Sequence, residues 1–126
     1  MSIKIETKVA AIAKAAAQTK AEQIVIIDMR KQRSISDFFM IAGGRSTTQV
    51  RAIAGNIVKE LKNGRGGIRP WHVEGERESL WILLDYGDVV AHIFHAETRK
   101  FYNLERLWRK APQRVYRSRR RKKRAQ

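Results

Sequence analysis

The chain has 126 residues, 27 Lys+Arg against 12 Asp+Glu, a formal net charge of +15 and no cysteine. That length suits one compact domain with a short extension, and the missing cysteine excludes disulfides, thiolate metal sites and a cysteine nucleophile together. The longest apolar runs, residues 24–27 and 80–84, fall far short of the roughly 20 residues of a membrane span, and lysines interrupt the first twenty positions where a signal peptide would be continuously apolar.

A soluble, cytoplasmic protein attracted to polyanions, most often nucleic acid, is therefore expected. Along the chain, Val9, Ile12, Ala13, Ala16 and Ala17 recur at helical spacing and predict an amphipathic helix over residues 4–20. The β-branched run at 23–28 (QIVIID) predicts a buried strand, and 37–42 (DFFMIA) a second one closed by Gly43 and Gly44. Ser46 is a suitable N-cap for a helix whose stripe is Val50, Ile53, Ala54, Ile57, Val58 and Leu61, ending at Lys62-Asn63-Gly64. Strands are expected over 69–74, 80–85 and 88–95, then one or two short helices over 96–108 with Phe101, Leu104, Leu107 and Trp108 on one face. Pro112 is expected to end the ordered body. The order αββαβββα predicts an α/β fold of the α+β kind, a mixed sheet of about five strands covered by helices.

The charge is unevenly placed. Ten of the 27 basic residues and none of the 12 acidic ones lie in residues 109–126, so the first 108 positions hold 17 and 12, a net +5. Arg117, Arg119, Arg120, Arg121, Lys122, Lys123 and Arg124 form a block without apolar periodicity. Blocks of this kind self-repel and stay disordered. They act either as plain solubilising tails or as arms that follow a phosphate backbone through counterion release.

Residues 80–95 (LWILLDYGDVVAHIFH) predict a hairpin with Tyr86-Gly87 as a two-residue loop, pairing Asp85 with Asp88, Leu83 with Val90 and Trp81 with His92. Alternation then places Trp81, Leu83, Asp85, Asp88, Val90, His92 and Phe94 on one face, and Ile82, Leu84, Val89, Ala91 and Ile93 on the other. The aliphatic face belongs under helices. The mixed face has the composition of a protein-binding patch. Alternatively, Trp81 and Phe94 lie beneath the C-terminal helix and His92 bonds a carboxylate such as Glu105.

Catalytic and metal chemistry find little support. His92 and His95 point to opposite sides of one strand and cannot share a metal. Gly43-Gly44-Arg45-Ser46 before a helix could cradle a phosphate, but two carboxylates placed to hold Mg²⁺ beside it are missing. No metal and no cofactor are expected.

The stretches 21–28 (AEQIVIID), 34–42 (SISDFFMIA), 49–54 (QVRAIA), 73–75 (VEG), 81–90 (WILLDYGDVV), 92–95 (HIFH) and 99–108 (RKFYNLERLW) together resemble the Iojap-like ribosomal silencing factors. The resemblance covers about residues 6–112. It implies a fold similar to the nucleotidyltransferase core without that activity. It also implies binding to the large ribosomal subunit at ribosomal protein L14, which sterically blocks joining of the small subunit and represses translation. The recurrent surface residues of that family match Trp81, Asp85, Tyr86, His92, Tyr102 and Glu105, to which the resemblance assigns partner binding. Members are often homodimers when free. Gly44 departs from the family pattern. Residues 113–126 lie outside the familiar domain (1–112) and are read as a basic tail that reaches rRNA. The rival readings are a nucleotidyltransferase-like enzyme and a non-specific RNA-binding protein acting through the tail.

Overall fold

The computed structural model describes residues 4–34, 36–64 and 66–117. The tail positions Arg119, Arg120, Arg121, Lys122, Lys123 and Arg124 lie outside the described residues; Arg117 lies inside them and is exposed. Among the described residues, four helices, α1 (Ile5–Gln18), α2 (Thr47–Asn63), α3 (Ala96–Tyr102) and α4 (Leu104–Leu107), pack on six strands. The strands are β1 (Glu22–Asp28), β2 (Phe38–Gly44), β3 (His72–Glu74), β4 (Trp81–Asp85), β5 (Val89–His95) and β6 (Gln113–Val115).

They form one mixed sheet in the order β3-β4-β5-β2-β1-β6. Only β2 and β5 run parallel; the other neighbours are antiparallel. A parallel pair needs a long crossover, here the path through α2, β3 and β4. α1 and α2 cover one side of the sheet. Val9, Ile12, Ala13, Val50, Ile53 and Ile57 are buried there against Ile26, Met40, Ile82, Ala91 and Ile93. The predicted stripe of α2 is the buried one, except that Val58 is only half-buried. Ser46 caps the helix as expected, its Oγ accepting the Gln49 N–H at 3.0 Å.

The body does not end at Pro112. Residues 113–115 add a sixth strand at the edge of β1, with Val115 opposite Val25 and Gln113 opposite Ile27. The Asp28 N–H donates to the Pro112 carbonyl and the Tyr116 N–H to the Ile24 carbonyl. Proline is compatible with this place because it enters an edge strand where its missing N–H is not needed. Three residues rich in Gln and Arg carry no alternation that sequence can read.

The hairpin register also differs from the expected one. Trp81 pairs with Phe94, Leu83 with His92 and Asp85 with Val90. The Tyr86 N–H donates to the Val89 carbonyl at 2.9 Å, which leaves Gly87-Asp88 as the loop. Two features favour this turn. Gly87 takes φ +89° at the first loop position, where only glycine is at ease. The Asp85 carboxylate accepts the Gly87 N–H at 2.8 Å, an Asx turn that fixes the bend. Because the slip is two residues, the faces of β4 and β5 survive, but Tyr86 joins the ladder on the aliphatic side and Asp88 leaves the mixed face.

The C-terminal helices divide at Asn103, whose φ of +45° ends α3 and whose side chain accepts the Arg106 N–H to start α4. The expected common face is therefore broken. Leu104 is buried, Trp108 half-buried, and Phe101 and Leu107 are 81% and 65% exposed.

Candidate docking face on the open side of the sheet

α3 and α4 occupy the second side of the sheet and cover only part of it. Leu104 closes a small core with Ile27, Met29, Ile41, Phe94 and Ala111. The β4 end of this side stays open, with Trp81, Leu83 and Asp85 half-buried in a row. Alternation along β4 aims these three side chains the same way, while Ile82 and Leu84 point into the main core.

Trp81 organises the open end. Its ring stacks on Phe94 (centroids 4.7 Å apart) and leans on Tyr102 (4.8 Å), so α3 is held to the sheet by aromatic contact. Its Nε1–H donates to His92 Nδ1 at 3.2 Å. An Nδ1 that accepts leaves the single proton of a neutral imidazole on Nε2. Burial holds His92 neutral, pulling its pKa down to about 4. Its ring meets the Phe39 edge at 4.6 Å, and Nε2 has no hydrogen-bond partner among the described residues.

Of the six expected partner-binding residues, the structure brings Trp81, Asp85, His92 and Tyr102 to this side but gives them different exposure. Tyr102 is 49% exposed and Trp81 and Asp85 are half-buried. His92 is buried beneath Trp81 and so supports the face instead of presenting its ring. Tyr86 is corrected more strongly. It lies 2% exposed in the main core on the opposite side, because the turn begins one residue later than expected. Burial pushes its phenol up to about 12.

Glu105 does not bond His92. Its carboxylate takes the Arg99 guanidinium, Nη2 at 2.6 Å and Nε at 3.0 Å, while Arg99 also donates to the Glu22 and Gln23 carbonyls of β1. The pair is a clamp that fastens α3 and α4 onto β1. The six-residue separation of Arg99 and Glu105 matches no helical neighbour rule; the bend at Asn103 is what lets them meet. Trp71, 79% exposed, is a further exposed aromatic, its N–H bonded to the Asp85 carbonyl and its ring lying over Gly87.

The phosphate-turn alternative is disfavoured at its own residues. The Arg45 N–H is taken by Gln49 Oε1 at 2.7 Å and the Gln49 N–H by Ser46. A Cβ at Gly44 would stand 3.0 Å from Val50 Cγ2, so that glycine serves close strand–helix packing. Among the described residues, no three His, Cys, Asp or Glu side chains gather as metal ligands, and His95 is used to cap α3. No helix among the described residues is long and apolar enough to cross a membrane.

Residues 2–126 match the family model described as "Ribosomal silencing factor during starvation". The chain is 45% identical over 93 residues to the ribosomal silencing factor RsfS of Halalkalibacterium halodurans, covering 74% of this chain and 78% of that one. It is 44% identical over 102 residues to RsfS of Bacillus subtilis, covering 80% and 85%. A crystal structure of a Chromobacterium violaceum protein superposes with a TM-score of 0.79 at 30% identity, covering 84% of this chain and 87% of that one. The α/β fold with its mixed sheet is thus shared with that structure. The chain belongs to the ribosomal silencing factor family.

Proposed function

We propose that this protein binds the large ribosomal subunit at ribosomal protein L14 and, by occupying that place, sterically blocks joining of the small subunit and represses translation without catalysing a reaction. The observation that carries the reading is the half-covered side of the sheet, where Trp81, Leu83, Asp85 and Tyr102 form a partly exposed apolar and acidic row. An aromatic centre with a carboxylate at its edge suits a basic protein partner. His92 and the Arg99–Glu105 clamp act from behind, setting the position of Trp81 and of α3. In the free protein the same row is available for a homodimer. The basic residues from Arg117 onward add electrostatic attraction to rRNA.

Sedimentation of ribosomes with the purified protein tests this. It is expected in the free large-subunit fraction, with a reduced yield of joined ribosomes, and Trp81→Ala is expected to weaken the association by tenfold or more, about 1.4 kcal/mol. Co-sedimentation with small subunits alone, or an unaltered yield of joined ribosomes, would refute the reading.

A further inference from the structure

The helices beside the β6 edge carry a strip of cations that form no ion pair among the described residues. Lys100 on α3, Arg106 on α4, Arg109 and Lys110 in the turn after it and Arg117 beyond β6 are all exposed, whereas Arg114, opposite Ile26, faces the α1–α2 side of the sheet. None of the five has a carboxylate within ion-pair distance among the described residues. Three acids on adjoining elements are claimed by another arginine, while Glu97, one turn before Lys100 on α3, is in no ion pair among the described residues. Glu105 is held by Arg99, Asp28, whose N–H bonds Pro112, by Arg30, and Glu22 by Arg45. The neutralisation is strong enough at Asp28 for the Arg30 guanidinium to lower its pKa.

The strip is also fixed in place. Gln113 Nε2 donates to the Glu105 carbonyl at 2.8 Å and to the Trp108 carbonyl at 3.1 Å, which ties β6 to α4. Arg109 Nη1 donates back to the Arg106 carbonyl at 3.3 Å. Beside Lys100, Phe101 stands 81% exposed and edge-on to Tyr102, an open aromatic surface next to the cations. Isolated surface cations are ordinary. Five without an ion-pair partner on one anchored segment hold a positive potential that salt only partly screens.

We infer that the α3–α4–β6 segment is an RNA-binding surface, which recognises the phosphate backbone of structured RNA through these cations. It adjoins the row around Trp81 through Tyr102, but its cations lie outside that row. The inference rests on the ribosomal reading for the identity of its polyanion, since the anionic surface of a ribosomal subunit is RNA. It places the first phosphate contacts on α3, α4 and the turn before β6, ahead of the basic residues that follow Arg117. Binding there is sequence-tolerant and salt-sensitive, because each cation that meets a phosphate releases a condensed counterion.

The test is fluorescence anisotropy of the full chain with a labelled RNA hairpin across a salt series. Arg106→Gln/Arg109→Gln/Lys110→Gln is expected to flatten the slope of log K against log salt by about 2 to 3, at 0.7–0.9 per lost phosphate contact. Affinity at about 50 mM salt is expected to fall by tenfold or more. The charge-matched control Lys14→Gln/Lys59→Gln/Lys62→Gln, on the helical layer of α1 and α2, is expected to leave the slope nearly unchanged. An unchanged slope in the first variant, equal losses in both, or tighter binding to anionic lipid vesicles than to the hairpin would each overturn the inference. Trp81→Ala is expected to keep full affinity for the hairpin. A failure of the strip therefore registers on naked RNA, whereas a failure of the docking proposal registers only on ribosomal subunits.

Discussion

His92 accepts a hydrogen bond from Trp81 and can do so only while its ring is neutral. An unfolded chain binds a proton at this histidine below pH 6.5, the folded protein only near about 4. Between those values the unfolded state holds more protons, so stability falls as pH drops, by up to about 3 kcal/mol. Above 6.5 both states are neutral and His92 contributes no pH dependence. Chemical denaturation of the wild type and of His92→Gln at about pH 7 and about pH 5 checks this, the variant losing less stability on acidification. Tyr86 makes the complementary case. Its ring fills the main core and its hydroxyl has no hydrogen-bond partner among the described residues. Tyr86→Phe is expected to keep both stability and ribosome binding, whereas Tyr86→Ala opens a cavity and costs about 3–5 kcal/mol. If Tyr86→Phe weakened large-subunit binding while leaving stability intact, the hydroxyl would have a role the fold does not account for.

At the scale of elements, the open side owes its shape to two fasteners that have nothing to do with helix or strand propensity. The Arg99–Glu105 clamp spans α3, α4 and β1 with side chains 11% and 25% exposed. Arg99→Ala leaves Glu105 without its cation and two β1 carbonyls without their donor, at a cost of about 2–4 kcal/mol in denaturant. The same variant is expected to loosen Tyr102 from Trp81, seen as a change in tryptophan fluorescence. The second fastener is β6. A chain ending at Pro112 would expose the β1 edge, where Ile24 and Ile26 on one face alternate with Val25 and Ile27 on the other. Unpaired apolar edges invite association between molecules. Truncation there is expected to lower stability by about 1–3 kcal/mol and to promote aggregation, measured by denaturation and light scattering. Equal stability and solubility would show that β6 is dispensable.

Across the whole molecule, the strand order separates charge. The segment from Trp71 to Asp88, which contains β3 and β4, has five acids and one arginine, whereas residues 109–124 have ten basic residues and no acid. The strands within them, β3 in the first and β6 (Gln113–Val115) in the second, are the two edge strands of the sheet. A net charge of +15 thus describes neither end. Deleting residues 118–126, which leaves β6 intact, is expected to weaken large-subunit binding and flatten its salt dependence without abolishing it. Trp81→Ala is expected to weaken binding at every salt concentration, because burial of apolar surface is not screened. Complete loss of binding on removal of 118–126 would favour a non-specific RNA binder.

By itself the sequence determined the α/β class, the two amphipathic helices of the main layer, the Ser46 cap and which residues of β4 and β5 share a face, because these follow from local periodicity and capping chemistry. The family was legible in motifs such as WILLDYGDVV and RKFYNLERLW. Only the tertiary structure decided where the hairpin turns, and with it that Tyr86 goes to the core. A two-residue slip preserves alternation, so pattern could not see it, and the choice fell to the glycine at position 87 and the Asp85 carboxylate. The structure also decided that Glu105 belongs to Arg99 and that residues 113–115 pair with β1. Both depend on contacts between segments distant in sequence or joined through a bend, for which a linear pattern of apolar and polar residues carries no signal.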